Sequence, residues 1–184
     1  MLRIDRRPGI RPRISLGRRL DIAARMSFPA GITVLLMLLT RVPLNISGQA
    51  ALLPAVALCC VWFWSLFRPG DTPPPVVFII GLILDLLGYL PLGVGALTLL
   101  AVHGVGSAAR RPLSHRGFAL IWIVFCGVAV AASLMVWLLV MLLTLRLLSP
   151  DPAIFMAVLT IALFPVLGVP FAHAHRSFLD PDRA

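Results

Sequence analysis

The sequence predicts an all-α integral membrane protein of about six transmembrane helices, and three observations carry that expectation. Of its 184 residues 60% are hydrophobic and only 12% charged, its mean hydropathy is +1.00, and its apolar residues fall into long runs separated by short, proline-rich breaks. A soluble domain of this length buries its apolar residues in one core and covers itself with charge, for which 16 basic and 7 acidic residues do not suffice. Hydrocarbon must solvate the remainder. Only helices or closed barrels cross hydrocarbon with every backbone group satisfied, and the runs lack the alternation of barrel strands.

Residues 1–26 form a basic tail in which Arg3, Arg6, Arg7, Arg11, Arg13, Arg18, Arg19 and Arg25 face only Asp5 and Asp21. The stretch is too long and too basic for a signal n-region, and no small-x-small cleavage pattern follows the first apolar run, so it is expected to stay on the protein. Leu16, Leu20 and Ala23 fall at helical spacing, which leaves open a short interfacial helix on anionic lipid or a disordered tail.

The predicted spans follow at 27–40, 51–67, 76–90, 93–109, 118–145 and 153–174, forming a bundle over 27–174, with 175–184 as a second cytoplasmic tail. Their ends are marked by Arg41 with Pro43, Arg68 to Asp71 with Pro73 to Pro75, Pro91, Arg110 to Pro112, and Ser149 to Pro152. Proline opens a helix cheaply because its missing N–H has no partner in the first turn. The third and fourth spans reach only roughly 22 and 26 Å against a hydrocarbon core of about 30 Å, so tilting, a thinned bilayer and a re-entrant hairpin all remain open for 76–109.

Charge sets the direction. The net charge is +9, all sixteen basic residues are Arg, and neither Lys nor Glu occurs. Six crossings from a cytoplasmic N-terminus place fourteen Arg inside and two, Arg41 and Arg146, outside. Reading 76–109 as one span gives ten inside and six outside, so the positive-inside rule prefers six crossings and two cytoplasmic termini. A re-entrant hairpin keeps the same parity. The excess charge is expected to meet anionic headgroups at the Arg-rich tail, and no nucleic-acid partner is expected.

Catalytic and metal-binding signatures are missing: the chain has no phosphate-cradling Gly loop, Cys-x-x-Cys, His-Glu-x-x-His or Gly-x-Ser-x-Gly. Neither enzymatic activity nor a cofactor or metal is expected. His173 and His175, two residues apart, fall on different helix faces and mark an interfacial end. Cys59, Cys60 and Cys126 lie inside apolar runs, as buried free thiols do. Trp62, Trp64, Trp122 and Trp137 are expected as aromatic anchors and lipid-facing packing residues. Asn45-Ile-Ser47 matches a glycosylation acceptor at chance level.

One segment carries more information. Asp85 is the only acidic residue within an apolar run, and at that depth a carboxylate must face protein or water and find a partner. Helical spacing puts Gly81 one turn before it and Gly88 and Tyr89 one turn after it, so a neighbouring helix approaches closely there and the Tyr89 hydroxyl is a candidate donor. Three readings stand for Asp85: a polar clamp between helices or a cap for the turn leading to Pro91; a partner-docking group; and a proton or ion relay. His103 in the next span is the only other titratable group at depth, and a lone histidine beside Gly104 and Gly106 reads as a packed, hydrogen-bonded residue.

The pattern Gly81-Leu-x-x-Asp85-Leu-Leu followed by Pro91-Leu-Gly93-x-x-Ala96-Leu97, with Trp62-x-Trp64 and Arg68-Pro69 upstream, resembles the rod shape-determining protein MreD family. The likeness extends over residues 30–175, and its specific part is the segment around Asp85. It implies a non-enzymatic scaffold in the bacterial inner membrane, in the elongation complex that directs side-wall peptidoglycan synthesis. The implied partners are an MreC-like scaffold, a RodA-like protein and a class B penicillin-binding protein. The matched positions Gly81, Asp85, Leu86, Pro91, Leu92 and Gly93 look like the shared core of that fold, and Gly88 and Tyr89 join them as a structural or partner-binding motif. The resemblance brings no catalytic residue. The alternative is the substrate-binding subunit of an energy-coupling-factor vitamin transporter, to whose fold the MreD family is similar. Those subunits carry Ala-x-x-x-Ala on the first helix, where this chain has Ala30 and then Val34.

Overall fold

The computed structural model describes the backbone of residues 16–42, 48–68, 70–88, 90–113 and 117–179, and side chains over the same stretches from 28 to 167. Six helices run in order: α1 Leu16–Leu39, α2 Gln49–Phe67, α3 Pro74–Gly88, α4 Val94–Leu113, α5 Phe118–Thr144 and α6 Asp151–Leu179, with no strand among the described residues. Each covers one of the apolar runs. The first reaches back to Leu16, so residues 16–26 of the basic tail are continuous with the first helix. The side chains of its arginines and those of His173 and His175, together with Asn45, Ser47, Tyr89 and Arg116, lie outside what is described.

The helix starts follow from local chemistry. Pro74 opens α3, and the amides of Val76 and Val77 both turn back to the Pro73 carbonyl. Asp151 and Pro152 open α6, placing a carboxylate at the positive end of the helix dipole.

The arrangement centres on α2, which packs against α1, α3, α4 and α6; α3 lies along α4, and α5 packs on α4 and α6. A helix that is apolar on every side must be surrounded by something apolar. In α2 the surroundings are protein: its most apolar window has a hydropathy of 2.1 and is 72% buried. In α5 they are not, since a window of hydropathy 2.6 is only 22% buried, and Ile123, Val130, Leu134, Leu138 and Leu142 point outward. These two helices are long and apolar enough to cross a membrane.

The aromatic core joins α2, α5 and α6. Phe125 stacks on Phe164 at 4.2 Å between ring centroids and meets Trp62 at 5.9 Å. Trp62 and Trp64 therefore depart from the expected lipid-facing role: both are buried, because the helix that carries them has neighbours on every side. Trp122 and Trp137 are partly exposed and donate to carbonyls, Trp122 to Ile161 at 3.3 Å and Trp137 to Leu148 and Ser149 at 3.3 and 3.2 Å. All three cysteines are free, Cys59 and Cys60 buried and Cys126 half-buried.

Candidate functional site

The site is the α3–α4 hairpin. Helix α4 begins at Val94, so its first amides have no carbonyl one turn behind them and need outside acceptors. The residue at the cap position is Gly93, whose carbonyl takes the first helical bond from Leu97 at 2.9 Å but which has no side chain to cap with. Asp85 does this from the preceding helix. Its Oδ2 accepts the Gly93 amide at 2.8 Å and the Ala96 amide at 3.4 Å, and its Oδ1 accepts the Gly95 amide at 2.6 Å. Charge-assisted bonds from three amides at the positive end of a helix are the partner that a carboxylate at 1% exposure requires.

The Asp85 backbone is used as well, its carbonyl accepting the Leu90 amide at 3.2 Å in the six-to-one bond that closes a helix C-terminus. One residue thus ends α3 and starts α4. Between them the chain turns on Pro91, whose carbonyl accepts the Val94 amide at 3.2 Å, and on Gly93 at φ +102°, a conformation that side chains resist.

Glycines let the two helices meet. A Cβ on Gly81 would run into the Ala96 backbone, and one on Gly95 would run into the Asp85 carboxylate and come within 3.0 Å of Leu84. Gly88 has ordinary contacts only, to Leu53 and Leu90. Of the expected motif, the structure brings Gly81, Asp85, Pro91 and Gly93 together around the hairpin. Leu86 and Leu92, expected in the shared core, are instead 74% and 73% exposed, Leu86 because it lies off the face of α3 that carries the buried Val77, Ile80, Gly81 and Leu84, and Leu92 because it stands in the turn before α4.

His103 is buried, and its Nδ1 lies 2.7 Å from Ser65 Oγ, which also reaches the Val61 carbonyl at 2.6 Å. Eight residues along α4 separate it from Gly95, about 12 Å of helix rise, so it shares no contact with Asp85. Among the described residues Arg68 pairs with Asp71 at 3.2 Å, and no cation meets the Asp85 carboxylate. No group of three His, Cys, Asp or Glu side chains converges among the described residues. The Ser65–His103 contact was not legible in the sequence, since nothing in either residue's neighbourhood announces its partner 38 positions away.

Compared with protein-family models, with curated proteins and with solved structures, the chain matches none. Fold and site together define a class: an all-helical protein with two helices fit to cross a membrane and a hairpin whose second helix is capped by a buried carboxylate from its first.

Proposed function

We propose that the chain is a multi-pass protein of the bacterial inner membrane with six crossings and both termini cytoplasmic. In this reading it serves as a non-enzymatic scaffold of the cell-wall elongation complex, related to the MreD family. The single observation that carries the reading is the segment from Gly81 to Leu97, whose family-like residues are those that build the α3–α4 hairpin.

Two further features support it. Among the described residues none covers the outward apolar face of α5, and lipid is the solvent that accepts such a surface without penalty. The fourteen-to-two division of Arg fits two cytoplasmic ends. Leu86, Leu92 and Leu97 stand exposed on the hairpin, available to a partner helix of an MreC-like scaffold, a RodA-like protein or a class B penicillin-binding protein.

Affinity purification of the tagged chain from native membranes tests the proposal. An MreC-like scaffold or a penicillin-binding transpeptidase is expected to copurify, and deletion is expected to round the cells. Copurification of an ATPase module, with tight vitamin binding by the isolated chain, would replace this reading by that of a transporter subunit.

A further inference from the structure

Beside the hairpin the bundle is not filled. A cavity of about 380 Å³ opens between α2, α3, α5 and α6, walled by Pro54, Leu84, Gly88, Val136 and Met156. A second, of about 280 Å³, lies between α5 and α6. Ser133 and Trp137 line both, so the two spaces flank the same stretch of α5. Ligand pockets span roughly 300–1,000 Å³ and combine apolar walls with a few polar groups that fix orientation.

Ser133 is that polar group. It is 2% exposed, and its hydroxyl has no hydrogen-bond partner. A helical serine or threonine in an apolar setting ordinarily bonds the carbonyl one turn back, as Ser65, Thr98 and Thr160 do. An unbonded buried hydroxyl on a cavity wall is a donor without an acceptor.

Its depth narrows the ligand. Ser133 stands eleven residues before the end of α5 at Thr144, about 16 Å of helix rise, close to the middle of a hydrocarbon layer of about 30 Å. Phospholipid esters and headgroups sit at the interface and do not reach that level. We propose that the cavity binds a small lipophilic molecule bearing an acceptor carbonyl, admitted sideways from the bilayer between α5 and α6, with the Ser133 hydroxyl donating to that carbonyl. The inference rests on the membrane reading above and is independent of the elongation-complex reading.

Benzophenone is a suitable probe, since it carries one carbonyl on an apolar body and forms covalent adducts with nearby C–H bonds on irradiation. The full chain is reconstituted in phosphatidylethanolamine–phosphatidylglycerol vesicles, irradiated with deuterium-labelled benzophenone, and its adducts mapped by peptide mass spectrometry. Adducts are expected on Val136, Ala153 and Met156. Ser133→Ala should reduce them about fivefold, and diphenylmethane, which lacks the carbonyl, should compete about fivefold less well than unlabelled benzophenone. Gly88→Leu, which fills the space from α3, should abolish them, as should Ala153→Leu if the first variant fails to assemble.

Adducts confined to the outward residues Ile123, Leu138 and Leu142, or cavity adducts unchanged by Ser133→Ala and by the filling variants, would overturn the proposal while leaving the membrane reading intact. Absence of adducts on those outward residues as well would overturn the membrane reading itself.

Discussion

The Asp85 carboxylate of α3 accepts the Gly95 amide of α4 at 2.6 Å, so the start of one helix is held by a side chain from the helix before it. The Gly93 and Ala96 amides converge on the same group. A capping carboxylate normally belongs to the residue at the helix start. Here glycine occupies that position because the turn demands a positive φ, and the acceptor is supplied eight residues upstream.

Replacing Asp85 is therefore expected to destabilise the hairpin. Asp85→Ala leaves buried amides unpaired and should cost about 2–3 kcal/mol, read as a lowered thermal-unfolding midpoint in detergent micelles. Asp85→Asn keeps one acceptor oxygen but sets an NH2 against a backbone N–H, and it should fall between the two. An Asn variant as stable as the parent would show that two charge-assisted acceptors are not needed.

The glycines separate by what surrounds them. Gly81→Ala forces α3 away from the Ala96 backbone and should destabilise by about 1–3 kcal/mol. Gly93→Ala meets no neighbour but sits at φ +102°, for a loss of about 1–2 kcal/mol. Gly104→Ala has open space on a regular helix and should gain about 0.5–1 kcal/mol. The ranking of the three unfolding midpoints checks all of these at once.

Ser65 and His103 should behave as one unit. Ser65→Ala leaves the buried His103 Nδ1 without its partner, at about 1–3 kcal/mol, whereas the Ser65 hydroxyl keeps the Val61 carbonyl when His103 is removed. In a double-mutant cycle of Ser65→Ala with His103→Ala, the coupling is expected at about 0.5–3 kcal/mol, and an additive result would mean the contact carries no energy.

Ser133→Ala should raise the unfolding midpoint of the ligand-free protein. It removes a buried hydroxyl that has no partner and replaces serine by the better helix former, a gain of about 1 kcal/mol. A loss of stability would mean that the hydroxyl is bonded in the folded protein.

Orientation is open to chemical labelling. In a background with Cys59, Cys60 and Cys126 replaced by Ala, Arg146→Cys is expected to react with a membrane-impermeant maleimide on intact spheroplasts. Arg110→Cys should react only after permeabilisation. Reversed labelling would invert the bundle, and labelling of both without permeabilisation would mean that α5, which lies between the two positions, does not cross the membrane.

The helical elements were largely legible because breaks such as Pro73 to Pro75 and Ser149 to Pro152 punctuate the apolar runs wherever a helix restarts. The depth of Asp85 was legible too, since a lone acid in apolar sequence has few places to go. Which acceptor role it plays was not: the clamp, docking and relay readings differ only in what lies opposite, and the amides of Gly93, Gly95 and Ala96 at the start of α4 lie there. The exposure of Leu86 and Leu92 escaped notice because leucine reads the same toward lipid, partner or core.

By itself the sequence determined the number, order and approximate ends of the helices, because hydropathy and proline act over a few residues. Only the tertiary structure decided that α2 is enclosed while the still more apolar α5 is not, that Trp62 is core, that Ser65 meets His103, and that Ser133 is left unbonded beside a cavity. Each of these depends on which helix lies against which. In a chain so uniformly apolar, periodicity marks no inner face, and the neighbours are chosen by close approach at small residues such as Gly81, Gly95 and Gly106.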